Sequence, residues 1–200
     1  MKKLALLAIL SVFVFGCKDN PVSKKIKETK NAVSNSKKAV DELNTMQEDI
    51  KELQQEEPLT NEEMKSWLPE EVLGMKRTAY KAGQVSYMKI ANIEATYSNE
   101  DKSQSITVNV MDGAGEIGAS ATAGARMLLS MDMEEETETY TKRTVKKDNI
   151  KAMEEYQKKN NKTIIQLMYG KRFYVQVTGK GMNVEETWDA VDNLDLEDLG

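Results

Sequence analysis

Between Ser105 and Val110 the side chains alternate: Ile106, Val108 and Val110 are apolar, while Thr107 and Asn109 between them are polar. The same period of two returns at Phe173, Val175 and Val177, interleaved with Tyr174, Gln176 and Thr178. That period puts one set of side chains on each face of a pleated strand, so both runs predict half-buried strands. Ile164 to Met168 predicts a hairpin partner for the second run through Tyr169-Gly170-Lys171-Arg172. Val85 to Tyr97 predicts a partner for the first through Ser98-Asn99-Glu100-Asp101. Tyr140 to Val145 and Ile150 to Tyr156 show the pattern more weakly. Two segments switch to helical spacing, Ile117 to Met131 and Val184 to Leu194. Thr60 and Glu63 are spaced as a capping box, with Leu59 and Met64 as a staple, and predict a short helix that ends at Trp67-Leu68-Pro69. Clustered hairpins with few helices predict an α+β fold for residues 58–200: a mainly antiparallel sheet with helices on one face.

Upstream, the pattern thins. Residues 21–57 contain no aromatic residue and no glycine; Ile26, Val33 and Val40 stand seven apart, followed by Leu43, Met46, Ile50 and Leu53. Ser23 can cap such a helix, but Thr29 and Ser36 interrupt its apolar edge, which slips by one position at Met46. This predicts a helical spacer with a weak coiled-coil signal. Its charges are sorted: seven lysines against Asp19 and Glu28 from Lys18 to Val40, then Lys51 against seven acids from Asp41 to Glu57. That order opposes the helix dipole. A basic end lying on anionic head groups would account for it, and so would a solvated spacer.

The first 16 residues carry Lys2 and Lys3, then an apolar run from Leu4 to Phe15. The run is shorter than the roughly 20 residues a membrane-spanning helix requires, and reads instead as a secretory signal. Val14-Phe15-Gly16-Cys17 resembles the lipobox of bacterial lipoproteins, with Phe15 where a small residue is usual. The resemblance implies that residues 1–16 are removed and that Cys17, the single cysteine, is acylated and becomes the mature N-terminus. A plain secretory peptide is the alternative, with no second cysteine to make Cys17 a disulfide partner. Lys18 and Asp19, followed by Asn20, resemble the basic-then-acidic tag that sends some lipoproteins to the cell surface. The expected organisation is therefore signal peptide 1–16, acylated cysteine and spacer 17–57, and domain 58–200, held at the outer membrane by lipid and facing outward, with a periplasm-facing position as the alternative. The element order over residues 67–199 is similar to the Mog1/PsbP-like α+β group, whose members bind partners or act as assembly factors.

Charge and composition narrow the chemistry. The 28 basic residues less Lys2 and Lys3, against 33 acidic ones, leave a mature chain of formal charge −7, a poor match for nucleic acid. Histidine is absent, which removes the usual general base and the commonest zinc ligand. Gly113-Ala114-Gly115-Glu116-Ile117-Gly118 matches the dinucleotide-binding GxGxxG pattern, but Asp112 places a negative charge where phosphate would sit. The other reading is a tight strand-to-helix turn whose small residues let the helix lie close on the sheet. Asp132, Glu134, Glu135, Glu136 and Glu138 are dense enough for a weak calcium site and equally suit a solvated loop. The expectation is thus a binding or assembly module without catalytic residues, cofactor or metal, whose partners are membrane lipid and an unidentified envelope protein or ligand. A carboxylate-based hydrolase and a purely structural spacer are the alternatives.

Overall fold

The computed structural model describes residues 37, 40–84 and 90–199. The signal segment, Cys17, Lys18, Asp19 and the first part of the spacer lie outside the described residues, as does the start of the strand expected from Val85. The chain divides into two compact units, Met1–Asn44 and Thr45–Gly200. Residues 45–57, assigned to the spacer on composition, thus pack with the domain.

In the second unit a single antiparallel sheet contains nine strands: β1 (Glu71–Val72), β2 (Met75–Gln84), β3 (Ala91–Ser98), β4 (Ser105–Asp112), β5 (Glu134–Glu136), β6 (Tyr140–Lys147), β7 (Ile150–Gln157), β8 (Lys162–Tyr169) and β9 (Phe173–Lys180). Their order is β1-β2-β3-β4-β9-β8-β7-β6-β5. Two meanders, β1–β4 and β5–β9, therefore meet along the β4–β9 ladder, where Val108 faces Val177 and Val110 faces Val175. Helix α1 covers residues 40–53 and is followed by α2 (Asn61–Trp67), α3 (Gly115–Ser130) and α4 (Val184–Asp192). This is an α+β architecture, as the alternation predicts.

The strands with a clear period of two are the interior ones. Ile93, Ala95 and Tyr97 of β3, Ile106, Val108 and Val110 of β4, and Val175 and Val177 of β9 form one buried face. Each fully buried branched side chain there contributes about 1.5–3 kcal/mol. Trp188, Ala190 and Val191 of α4 and Met64 of α2 cover that face. Both helices start on a capping box, Thr60 with Glu63 and Asn183 with Glu186.

The helices are not confined to one face, and here the expectation needs correction. Trp188 Nε1 of α4 donates to Glu154 Oε1 of β7 at 2.6 Å. Lys151, three residues before Glu154 and so pointing to the opposite face, donates to the Ser130 carbonyl at the end of α3 at 2.5 Å. Helix α3 thus lies on the other side of the sheet, with Gly118, Ala119, Thr122, Arg126 and Leu129 as its buried stripe. Small residues make this possible: a helix of alanine and glycine covers a partly polar face without a strong apolar pattern.

Tyr97 ties α2's exit to the sheet, its hydroxyl donating to the Pro69 carbonyl at 3.0 Å. Burial pushes its phenol above the ordinary 10.0. The folded state holds the neutral phenol while the unfolded chain ionises near pH 10, so this contribution is present below that pH and is lost as pH rises through and beyond it. The urea midpoint is expected to fall between about pH 9 and about pH 11, and to fall less steeply in Tyr97→Phe. An equal slope in the variant would remove Tyr97 as the cause.

Candidate functional site

The glycine-rich turn leads from β4 into α3. Asp112 ends β4 fully buried, and its carboxylate accepts from four donors: the Ala114 N–H at 2.9 Å, the Leu59 N–H at 2.8 Å, and Arg172 Nε at 2.7 Å and Nη2 at 2.8 Å. The place at the helix entrance that would attract a phosphate is therefore occupied by the protein's own carboxylate. Gly115 adopts φ +77°, the left-handed conformation the turn requires. A Cβ on Gly118 would lie 2.7 Å from the Asp112 carbonyl. The flanking strands β4 and β5 are not neighbours in the sheet, and every described ladder is antiparallel, so no βαβ unit surrounds the motif.

Arg172 extends this node to the end of the spacer. Nη1 donates to Glu56 Oε2 and Nη2 to the Glu57 carbonyl, both at 3.0 Å. One residue earlier, Lys171 Nζ donates to Asp49 Oδ1 at 2.9 Å. The hydrogen bond to Asp112 is the main cause that raises the Arg172 pKa, and the bond to Asp49 the main one that raises that of Lys171. Leu53 is buried beside them, whereas Val40 and Leu43 on the earlier turns of α1 are exposed. The apolar edge changes register at Met46 close to where α1 meets the domain. Beneath this junction lies Arg126, 8 % exposed, whose Nε and Nη2 have no acceptor among the described atoms. Burial lowers its pKa and the charge of Asp49 partly counters that. The adjoining groove is lined by Asp49, Glu52 and Glu56 as well as Lys171 and Arg172, three acids against two cations.

The acidic stretch is not the loop expected from sequence. Glu134–Glu136 is strand β5, pairing with β6 so that Glu134 faces Arg143 and Glu136 faces Thr141. Its carboxylates have separate partners. Glu135 accepts from the Tyr140 hydroxyl at 2.5 Å, Glu136 from Lys158 at 2.9 Å, and Asp132 pairs with Lys151 at 2.8 Å. Among the described residues no group of three or more such side chains could hold a metal ion.

A second polar cluster has no counterpart in the sequence reading. Glu154, 6 % exposed, accepts from Trp188 Nε1 and, at 2.7 Å, from Arg143 Nε. Lys147 stands 4.8 Å from the centroid of the Trp188 ring and bonds Asp192 at 2.7 Å. The bonds of Trp188 to Glu154 and of Lys147 to Asp192 join α4 to the sheet, and Arg143 ties β6 to β7. The available signal was a single acid at the core-facing position of Ile150, Ala152, Glu154 and Tyr156. The adjoining cavity, about 220 Å³ and lined by Glu134, Arg143 and Tyr156, is smaller than ordinary ligand pockets of roughly 300–1,000 Å³.

Three carboxylates have displaced pKa values, and all are lowered. Hydrogen bonds from Thr60 lower Glu63, those from Ser103 lower Asp101, and the bond from Lys158 lowers Glu136. A general acid needs a carboxyl held above its usual range, so these three are unsuited to that work.

Large apolar side chains are exposed along α3 and at its C-cap. Ile117, Met127 and Met131 are 38 %, 59 % and 48 % exposed, and Gly124 has open space where a Cβ would stand. Ile117, Ala121, Gly124, Leu128 and Met131 follow at spacings of four and three, a helix-packing seam. Arg126 points inward, so Glu116 is the one charged residue on the outer side of α3. No family model, curated protein or solved structure matches the chain.

Proposed function

We propose that this is a lipid-anchored cell-envelope protein whose domain is a non-enzymatic binding or assembly module. In this reading residues 1–16 direct export, acylated Cys17 holds the chain at the outer membrane, Lys18 and Asp19 direct it outward, and a helical spacer precedes the domain. The observation that supports a binding role most is the outer face of α3, an apolar and nearly uncharged strip with side chains spaced to meet a helix. Its partner is an apolar, helix-bearing surface of another envelope protein. Carboxylates committed to caps and ion pairs give the hydrolase alternative less support.

The anchor and the binding face are tested separately. Mass spectrometry of the mature chain is expected to find fatty acyl groups on Cys17, absent in Cys17→Ser. Affinity capture from intact envelopes, with surface proteolysis as control, is expected to recover a partner with the native chain. Met127→Asp with Met131→Asp changes exposed positions, so stability should shift by less than about 0.5 kcal/mol while capture is lost. An unmodified thiol ends the anchoring proposal; undiminished capture by the double variant ends the role of α3.

A further inference from the structure

The two edges of the sheet differ in sign. Residues 75–84, Met-Lys-Arg-Thr-Ala-Tyr-Lys-Ala-Gly-Gln, contain three cations and no acid. They form β2, whose outer neighbour β1 pairs only with Met75 and Lys76. The Arg77 N–H still finds the Glu70 carbonyl at 2.8 Å, but beyond Arg77 no described strand lies on that side. Thr78, Ala79, Tyr80, Lys81 and Gly83 are exposed. Lys65 and Arg77 flank the Tyr80 ring, at 5.2 and 5.7 Å from its centroid, and neither has an ion-pair partner among the described residues. Lys81 meets Glu94 at 3.7 Å in an exposed pair of little strength.

At the other end of the sheet the edge is β5, three exposed glutamates. It continues by one residue on each side, since the Thr144 N–H donates to the Met133 carbonyl and the Thr137 N–H to the Tyr140 carbonyl, each at 2.8 Å. The side of β5 facing away from β6 has no described neighbour.

An open strand edge offers its unpaired N–H and carbonyl groups to any extended chain, and charged side chains on an edge deter partners of the same sign. Here the charges are opposite. We propose that β5 of one copy adds to β2 of the next, so that the sheet continues head to tail through a second copy of this chain. A symmetric β2–β2 or β5–β5 contact would oppose cation to cation or acid to acid. The head-to-tail contact is heterologous and builds rows rather than closed dimers unless its rotation closes a ring. A strand of about five residues buries far less than the roughly 800 Å² per partner of a stable interface, so each contact is weak, with a Kd of about 0.1–1 mM. This contact uses neither α3 nor the lipid anchor.

Sedimentation velocity of the full chain in nonionic detergent tests it. The sedimentation coefficient is expected to rise with protein concentration up to about 1 mM. Lys65→Glu with Lys76→Glu and Lys81→Glu makes both edges acidic, and Glu134→Lys with Glu135→Lys makes both basic; each variant alone should associate at least about tenfold more weakly. An equimolar mixture of the two should recover association, because each variant then meets an edge of opposite sign, and this outcome also shows that both fold. The inference fails if the native chain stays monomeric at about 1 mM, if either variant alone associates like the native chain, or if the mixture recovers nothing. Association that is undiminished by Met127→Asp with Met131→Asp separates this contact from the one proposed for α3.

Discussion

Asp112→Ala is expected to lower the free energy of unfolding by about 3–5 kcal/mol, a large part of the 5–15 kcal/mol that a domain of this size commands. The carboxylate is fully buried and satisfies Arg172 twice, Leu59 and Ala114. Removing it leaves a mostly buried guanidinium without its main acceptor and two backbone N–H groups unpaired, and each unsatisfied group costs about 1–3 kcal/mol. The loss should also reach the spacer, since Arg172 carries the bonds to Glu56 and Glu57. Urea unfolding gives the first quantity, and amide exchange over residues 45–57 gives the second. Arg172→Met should cost less, because the carboxylate keeps two backbone donors. The double variant should be more stable than the sum of the singles implies, by about 1–3 kcal/mol of coupling. Strict additivity would show that the pair contributes only as two separate groups.

No spacing argument could have found that node. Asp112 and Arg172 are 60 residues apart, and only the β4–β9 ladder, which sets Asp112 opposite Phe173, brings them together. The sequence showed half of it: Asp112 stood out as the charge that spoils the phosphate motif, but its partner lay in a hairpin turn with no pattern of its own. Strands followed the same logic. Those between β3 and β9 bury alternate residues, and the burial is what writes the period of two into the chain. Strands β1 and β5 are edges, and β2 has an open side beyond Arg77. Thr78 to Lys81 of β2 are exposed, so nothing selects an alternating pattern there, and Glu134–Glu136 becomes a strand through pairing with β6 against its own weak propensity. The side of the sheet taken by α3 was hidden for a related reason. The face beneath it carries Gln166, Gln176 and Tyr174, whose polar atoms bond one another, and such residues read as solvent-facing.

The glycines of α3 allow a prediction with two opposite signs inside one helix. Gly118→Ala is expected to destabilise by about 1–3 kcal/mol. Its Cβ would meet the Asp112 carbonyl at 2.7 Å and the Gly113 carbonyl carbon at 3.1 Å, and both are backbone atoms that a side-chain rotation cannot move away. The helix entrance must shift, and with it the Ala114 N–H that Asp112 accepts. Gly124→Ala, two turns later, adds a methyl group into open space. There the substitution removes the conformational entropy penalty of a helix-interior glycine and should stabilise by about 0.5–1 kcal/mol. Thermal unfolding of both variants checks the pair. If the glycines served a nucleotide, Gly118→Ala would abolish binding that the native chain shows, and both chains should instead give flat titrations with NAD. Should Gly118→Ala prove as stable as the native protein, α3 does not pack against the end of β4 as closely as described, and the role assigned to the glycine-rich turn goes with it.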